Sequence, residues 1–275
     1  MFESELMKFA DAQIKERDNN RTQEYRFPDG SVYIGEMQDD LPHGKGKFIM
    51  PNGDYYDGEW KDGDPHGKGK ITITDENVRS YEGDWVEGMP CGRGIFCFTD
   101  GNIYEGEVYD AVPQGKGIMK YADGDTYEGD VDCGVPHGTG KMTFANGDIY
   151  EGEWKDGLRH GFGKMKYMND DVYNGEWKND QKDGTGIYTF INGNVYIGEF
   201  RNGKMHGTGR YTFFNGTEYY GEVRNNQING YGKMTTENGD IYEGEWIDGA
   251  IEGKGTITHP DGTYEECVFV NGEKQ

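Results

Sequence analysis

Apolar and polar residues alternate in short stretches along most of the chain. From residue 150 onward, Tyr150, Gly152 and Trp154 alternate with two glutamates. Successive side chains of a β-strand point to opposite faces, so this stretch predicts a strand with one aromatic and one charged face. A second stretch begins near Gly161, where Gly161, Gly163, Met165 and Tyr167 alternate with Phe162, Lys164 and Lys166. The two stretches together predict a β-hairpin.

Turn signals separate these stretches. Asn146-Gly147 precedes the first stretch, and it favours a type I′ turn because that turn needs positive φ at both central residues. Asp156-Gly157 lies between the two stretches and predicts the turn inside the hairpin.

The hairpin pattern recurs at a fixed period. The segment Tyr-x-Gly-[Glu/Asp] occurs ten times at 23-residue steps, with one step of 25, beginning at Tyr33, Tyr56, Tyr81, Tyr104, Tyr127, Tyr150, Tyr173, Tyr196, Tyr219 and Tyr242. A degenerate eleventh copy begins at Tyr264. Such a period indicates stacked copies of one small unit. The fold expected is all-β, an elongated single-layer antiparallel sheet of tandem hairpins over residues 25–275.

Nothing in residues 25–275 provides a second layer to cover the aromatic face. A long exposed apolar surface usually marks a binding site for a partner. The sequence therefore predicts a partner-binding groove along this face. Its residues are Tyr33, Tyr56, Trp60, Tyr81, Trp85, Tyr104, Tyr127, Tyr150, Trp154, Tyr173, Trp177, Tyr196, Phe200, Tyr219, Tyr242 and Trp246.

The repeat resembles a known pattern. Tyr150-Glu-Gly-Glu-Trp154 followed by His160-Gly-Phe-Gly163 is similar to the membrane occupation and recognition nexus (MORN) repeat, and further copies match in register. The resemblance implies a twisted antiparallel sheet and a non-catalytic role as scaffold or adaptor. It also implies that a helical or extended peptide lies along the aromatic groove. Proteins with such repeats occur at ciliary axonemes, including radial spoke heads, at cytoskeletal collars and at membrane junctions.

From this resemblance we expect a scaffold that binds other proteins of a large assembly, in the cytoplasm, at the cytoskeleton of a ciliary axoneme such as the radial spoke head. The alternative is a membrane- or cortex-associated scaffold that organises cytoskeleton or lipid enzymes. Self-association into a homo-oligomer is left open.

Composition and charge narrow the partners. The net charge is −23, which disfavours nucleic acid and direct binding to anionic membranes and favours basic protein segments. The four cysteines include no Cys-x-x-Cys pair, and Cys91 and Cys97 are predicted to lie too far apart on one strand for a disulfide. Free thiols and the absence of a secretory leader predict a reducing compartment.

The first residues have a different pattern. Phe2, Leu6, Phe9 and Ile14 fall at helical spacing, which predicts a short amphipathic helix over residues 2–17 within an N-terminal segment of helix and linker, residues 1–24. Such a helix either caps the edge of the first repeat or docks another subunit.

No arrangement of residues suggests an enzyme, a cofactor or a metal site. Histidines recur at one position of the repeat, and stacking places neighbours about 10 Å apart, too far to share a metal ion. A row of acids after the strand glycine is equally regular, so it forms either a solvated face or an electrostatic track for a basic partner. Its members are Glu36, Glu59, Asp84, Glu107, Asp130, Glu153, Glu176, Glu199, Glu222 and Glu245.

Overall fold

The structure is a computed structural model that describes residues 13–14 and 22–275. This part of the chain contains β-strands and turns and no helix, which confirms the all-β prediction. Its residues up to 138 form one compact unit and residues 139–275 form another. Strand β12 spans Val135–Thr143.

The strands of the first unit are short and regular. They are β1 (Gln13–Ile14), β2 (Thr22–Arg26), β3 (Val32–Gln38), β4 (Leu41–Ile49), β5 (Tyr55–Lys61), β6 (Asp64–Thr72), β7 (Val78–Val86), β8 (Met89–Phe98), β9 (Ile103–Tyr109), β10 (Val112–Lys120) and β11 (Thr126–Asp132).

The strands of the second unit follow the same pattern. They are β13 (Ile149–Lys155), β14 (Leu158–Lys166), β15 (Val172–Lys178), β16 (Gln181–Thr189), β17 (Val195–Arg201), β18 (Lys204–Thr212), β19 (Glu218–Arg224), β20 (Gln227–Thr235), β21 (Ile241–Ile247), β22 (Ala250–Thr258), β23 (Tyr264–Val270) and β24 (Glu273–Lys274).

Neighbours in sequence are neighbours in each sheet. Antiparallel pairing connects every consecutive strand from β1 to β11 in the first unit and from β13 to β24 in the second. The register shifts inside the repeat hairpins, as between Gly152 and Glu153, which pair with Gly163 and His160. This bulge lets β14 begin at Leu158, three residues before the predicted start. The β7–β8 hairpin has a second shift, between Val78 and Ser80.

Two kinds of turn alternate, and one differs from the prediction. Asp156 and Gly157 both have positive φ, 51° and 79°, so the turn inside the hairpin has the type I′ signature. At Asn146-Gly147 only the glycine has positive φ, 93°. There the amide of Gly147 donates to the Phe144 carbonyl, and the amide of Phe144 donates to the Asp148 carbonyl. These two hydrogen bonds close a three-residue loop that ends in a glycine. The type I′ prediction at this position was wrong.

The core of each unit is a row of tyrosines that lie over glycines. The first residues of the repeat segments, here called the signature tyrosines, are fully buried in nine copies, and Tyr242 is 5% exposed. At Gly163 a side-chain carbon would lie 2.2 Å from the Tyr150 hydroxyl, so only glycine leaves room for the ring. We call the sheet face that carries these rings the aromatic face, and the opposite one the charged face.

Tryptophans link one repeat to the next on the aromatic face. The Trp177 ring packs edge-on against Tyr150 of the preceding repeat at 5.2 Å between centroids, and against Tyr173 of its own repeat at 5.3 Å. Its indole N–H donates to the Gly163 carbonyl over 3.1 Å. Each repeat therefore buries its rings against a neighbour, as a stacked array requires.

The helix predicted over residues 2–17 lies almost entirely outside the described residues. The two residues described there, Gln13 and Ile14, form β1 and pair with Arg26 and Tyr25, so helix is wrong for this pair. The free edge of β2 offers unpaired backbone groups, and strand pairing satisfies them. Within the described residues, no helix is long and apolar enough to cross a membrane.

Candidate functional site

The residues predicted to line a partner groove all lie on the aromatic face, but beneath its surface. Every one of these tyrosine, tryptophan and phenylalanine side chains is buried, with exposures from 0 to 5%. Single-layer folding does not leave them bare, because the tyrosine rings fold over glycines and the tryptophans and Phe200 pack edge-on against the tyrosines. They form the floor of the face, and binding of a partner along the face stays a prediction.

Hydrogen bonds hold this floor in place. The hydroxyl of each signature tyrosine donates to the carbonyl three residues later, as from Tyr150 to Glu153 over 2.9 Å and from Tyr173 to Glu176 over 2.8 Å. Burial raises the pKa of these phenols, to about 12 at Tyr104 and Tyr219. They stay protonated at neutral pH and serve as donors to the backbone.

Residues of the second strand in each hairpin form the accessible part of the aromatic face. In the second unit Tyr188 and Tyr211 flank the buried Tyr196, with which both pair. Phe190 and Phe213 follow the same strands, and all four rings are half-buried. Centroid distances of 4.5 Å for Tyr188–Phe190, 5.8 Å for Phe190–Tyr211 and 4.6 Å for Tyr211–Phe213 make them one continuous row.

A groove of about 650 Å³ opens beside this row, and we call it the aromatic groove. Its volume is within the range of small-ligand and side-chain pockets. Its lining includes the polar side chains of Lys182, Asn226 and Gln227. The groove is lined by Lys182, Tyr188, Phe190, Phe200, Gly203, Met205, Tyr211, Phe213, Val223, Asn226, Gln227, Ile228 and Gly249.

Lys182 places a cation at the aromatic groove. Its ammonium nitrogen lies 4.6 Å from the centroid of Tyr188, 5.4 Å from that of Tyr173 and 5.7 Å from that of Phe200, within cation–π range. Burial lowers the pKa of Lys182 because it disfavours the charged form, and Asp171 acts in the opposite direction.

The row of acids on the charged face has a local role that the sequence did not predict. The carboxylate of Glu176 accepts from the Thr185 amide over 2.8 Å, and Glu153 accepts from the Phe162 amide over 2.9 Å. Asp84, Glu199 and Glu222 accept in the same way from Arg93, Thr208 and Tyr231. These amides lie in the hairpin bulge, so the acids stabilise their own chain, while an electrostatic track for a basic partner stays a prediction.

Of the residues that line the aromatic groove, the sequence predicted Phe200 and missed the others, because the prediction followed the most regular positions of the repeat. Tyr188 and Tyr211 occupy a position that holds Met142 and Met165 in other repeats, and so they escaped the motif. The signal that could have found them is the local excess of aromatic residues at 188–213. These residues occur as two pairs, each two positions apart, at the ends of two alternate strands.

Comparisons with known proteins agree with this architecture. The family model described as "MORN repeat" matches residues 33–55, 56–78, 81–103, 104–126, 127–149, 150–172, 173–195, 196–218, 219–241 and 242–264. These matches cover more than four-fifths of the chain. No curated protein matches the sequence significantly.

Among solved structures, the chain is similar to TCP domains of SAS-4 and CPAP. The TCP domain of SAS-4 (dCPAP) from Drosophila melanogaster, in complex with a proline-rich motif of Ana2, is 17% identical at a TM-score of 0.38, covering 64% of this chain and 90% of that one. The TCP10 domain of Danio rerio CPAP, in complex with a STIL peptide, is 12% identical at a TM-score of 0.30, covering 92% and 96%. The ten tandem matches of the family model, in register with the hairpins, show that the chain belongs to the MORN-repeat family.

Proposed function

We propose that this chain is a non-catalytic scaffold that binds peptide segments of partner proteins in the aromatic groove. The observation that carries the proposal is the row of half-buried rings, Tyr188, Phe190, Tyr211 and Phe213, beside a groove of about 650 Å³. The floor below is rigid because Tyr196 is fully buried and bonded to the backbone. A rigid apolar groove reduces the entropy lost on binding.

The assembly in which this scaffold acts is, in our proposal, a cytoplasmic ciliary axonemal complex of the radial-spoke-head type. The family resemblance supports this placement. The net charge of −23 favours protein partners over anionic lipid, which argues against the alternative of a scaffold on a membrane or cell cortex.

A pair of adjacent phenylalanines provides a matched test. Phe213 lines the aromatic groove, whereas Phe214 is 77% exposed and is not part of its lining. Wild-type chain, Phe213→Ser and Phe214→Ser, each verified as folded by circular dichroism, are used to capture proteins from ciliated cells for mass spectrometry. Axonemal proteins should be enriched on wild type and Phe214→Ser and lost on Phe213→Ser.

The same captured proteins distinguish an axonemal assembly from a scaffold on a membrane or cell cortex. If cortical or lipid-enzyme proteins are captured instead, the placement in an axoneme is wrong. Identical protein sets on the two variants would show that the aromatic groove is not the binding site. Co-sedimentation with vesicles that contain phosphatidylserine should show no salt-sensitive binding, and strong binding there would favour the membrane scaffold.

A further inference from the structure

One position of the repeat differs between the two units. It is the second residue of the second strand, and its side chain lies on the aromatic face opposite the tryptophan position. In the first unit this position holds prolines, Pro42, Pro65, Pro90, Pro113 and Pro136. In the second unit it holds Arg159, Lys182, Met205, Ile228 and Ile251. Two cations therefore lie on a face otherwise made of rings and aliphatic groups.

Arg159 is neutralised within the chain. Its guanidinium stacks over Trp177 at 4.6 Å and forms an ion pair with Asp180, with Nε 2.8 Å from Oδ1. A second nitrogen donates to the Asp180 carbonyl over 3.1 Å. Burial of this cation is thus balanced by a carboxylate.

No carboxylate is paired with the charge of Lys182 in the same way among the described residues. The ammonium nitrogen of Lys182 forms neither a hydrogen bond nor an ion pair with any residue that the structure describes. The nearest acid that influences it is Asp171, whose oxygens already accept from the Tyr188 hydroxyl over 2.9 Å and the Ile191 amide over 2.8 Å. A half-buried cation therefore borders the aromatic groove, with its ammonium over ring faces and no carboxylate paired with it among the described residues.

We propose that Lys182 binds a carboxylate of the docked peptide, so that the aromatic groove selects segments in which an acidic residue neighbours an apolar one. This inference rests on the proposed docking function and adds a specificity to it. The apolar side chain would pack on Tyr188, Phe190, Tyr211 and Phe213, and the acid would reach Lys182 at the margin. This preference for acidic segments is the opposite of the preference for basic partners that the net charge alone predicts.

The charge inside the aromatic groove, rather than the net charge of the chain, decides between acidic and basic partner segments. The acids that make the chain negative lie largely on the charged face and in the turns, and several are occupied by bulge amides. The lining of the aromatic groove contains one charged residue, Lys182. An approaching ammonium group would meet a like charge there, whereas a carboxylate would replace the water that Lys182 has lost. Burial already lowers the pKa of Lys182, and a carboxylate partner would raise it again.

The test starts from random peptides displayed on phage and selected on the wild-type chain. The strongest binder is synthesised with its acidic residue intact and with that residue changed to the amide. Lys182→Met is the test variant, because Met205 fills the same position in the next repeat and the fold accepts it. Lys204→Gln, an exposed lysine in the next hairpin that does not line the groove, is the control.

We expect selected peptides to contain an acidic residue near an aromatic or aliphatic one. The amide peptide should bind wild type and Lys204→Gln about tenfold more weakly than the acid, and the two peptides should bind Lys182→Met equally. Equal binding of both peptides to wild type, or the same acid preference on Lys182→Met, would overturn the inference.

Phe213→Ser distinguishes this failure from failure of the proposed function. If it abolishes binding while the acid has no effect, the groove docks peptides without the Lys182 specificity. If it leaves binding unchanged, or if no peptide is selected, both the docking function and the specificity are wrong.

Discussion

At the scale of single residues, the packing of the signature tyrosines on glycine makes the fold sensitive to one carbon atom. An added side-chain carbon at Gly94 would lie 2.3 Å from Cε2 of Tyr81, a ring that is fully buried and bonded to the Asp84 carbonyl over 2.9 Å. We predict that Gly94→Ala destabilises the chain by about 1–3 kcal/mol, because neither ring nor strand can move aside. Urea unfolding followed by circular dichroism measures the change.

Gly88 of the same hairpin is the matched control. It has φ +81°, and nothing lies within 4 Å of an added side-chain carbon. Gly88→Asn should cost less than about 1 kcal/mol, since asparagine tolerates positive φ. Equal losses for the two variants would show that the clash with Tyr81 is not what makes glycine necessary.

At the scale of the strands, hydrogen bonds from backbone amides to side-chain oxygens connect one repeat to the next. Asp171 accepts from the Ile191 amide in the following turn and from the Tyr188 hydroxyl, and Asn194 accepts from the Phe214 amide one repeat later. We predict that Asp171→Ala destabilises the second unit by about 1–3 kcal/mol, because it removes the charged acceptor of both the Ile191 amide and the Tyr188 hydroxyl. Thermal unfolding of wild type and variant measures the loss.

Asp171→Asn is the control, because Asn194 shows that an amide serves at this position and donates to the Tyr211 hydroxyl over 3.0 Å.

Burial alone would raise the pKa of Asp171, but hydrogen bonds from Ile191, Tyr188 and Asn169 outweigh it and hold the pKa below 3.8. The aspartate's extra stability is therefore present above about pH 4 and lost as pH falls through its folded pKa. A stability difference between wild type and Asp171→Asn that grows on acidification would contradict this role.

The same strands show what sequence patterns can predict. Period-two alternation and the 23-residue step predicted the hairpins and assigned Tyr150 and Trp154 to the correct face, because these depend on strand geometry alone. Accessibility was not predictable in this way. Tyr150 and Tyr188 share a face, yet Tyr150 is buried over Gly163 while Tyr188 remains half-exposed. The difference lies in what surrounds each ring, because Tyr150 covers a glycine whereas Tyr188 pairs with Tyr173 and Tyr196, and the alternation does not specify this.

At the scale of the whole molecule, the row of buried phenols predicts a steep response to alkali. Burial raises the pKa of the signature tyrosines, to about 12 at Tyr104 and Tyr219, from 10 in the unfolded chain. Because the folded pKa lies above the unfolded one, the stability it brings is complete below pH 10 and is lost as pH rises toward 12. We predict cooperative unfolding in this window, with tyrosinate absorbance at the same midpoint as circular dichroism. Tyrosinate formation near pH 10 without loss of structure would contradict it.

The net charge of −23 also acts on the whole molecule, and its effect competes with that of surface ion pairs. Lys68–Asp84 and Lys116–Asp130, each at 2.5 Å on the charged face of the first unit, weaken as salt rises. Such exposed pairs contribute only about 0–1 kcal/mol each, whereas repulsion among excess acids opposes the folded state everywhere. We therefore predict that the melting temperature rises by several degrees between low salt and about 0.5 M NaCl or KCl, as the screening length shortens. Sucrose at equal osmolarity is the control for effects unrelated to charge. A melting temperature that falls in both salts would mean that the ion pairs, not the net repulsion, dominate the electrostatics of this array.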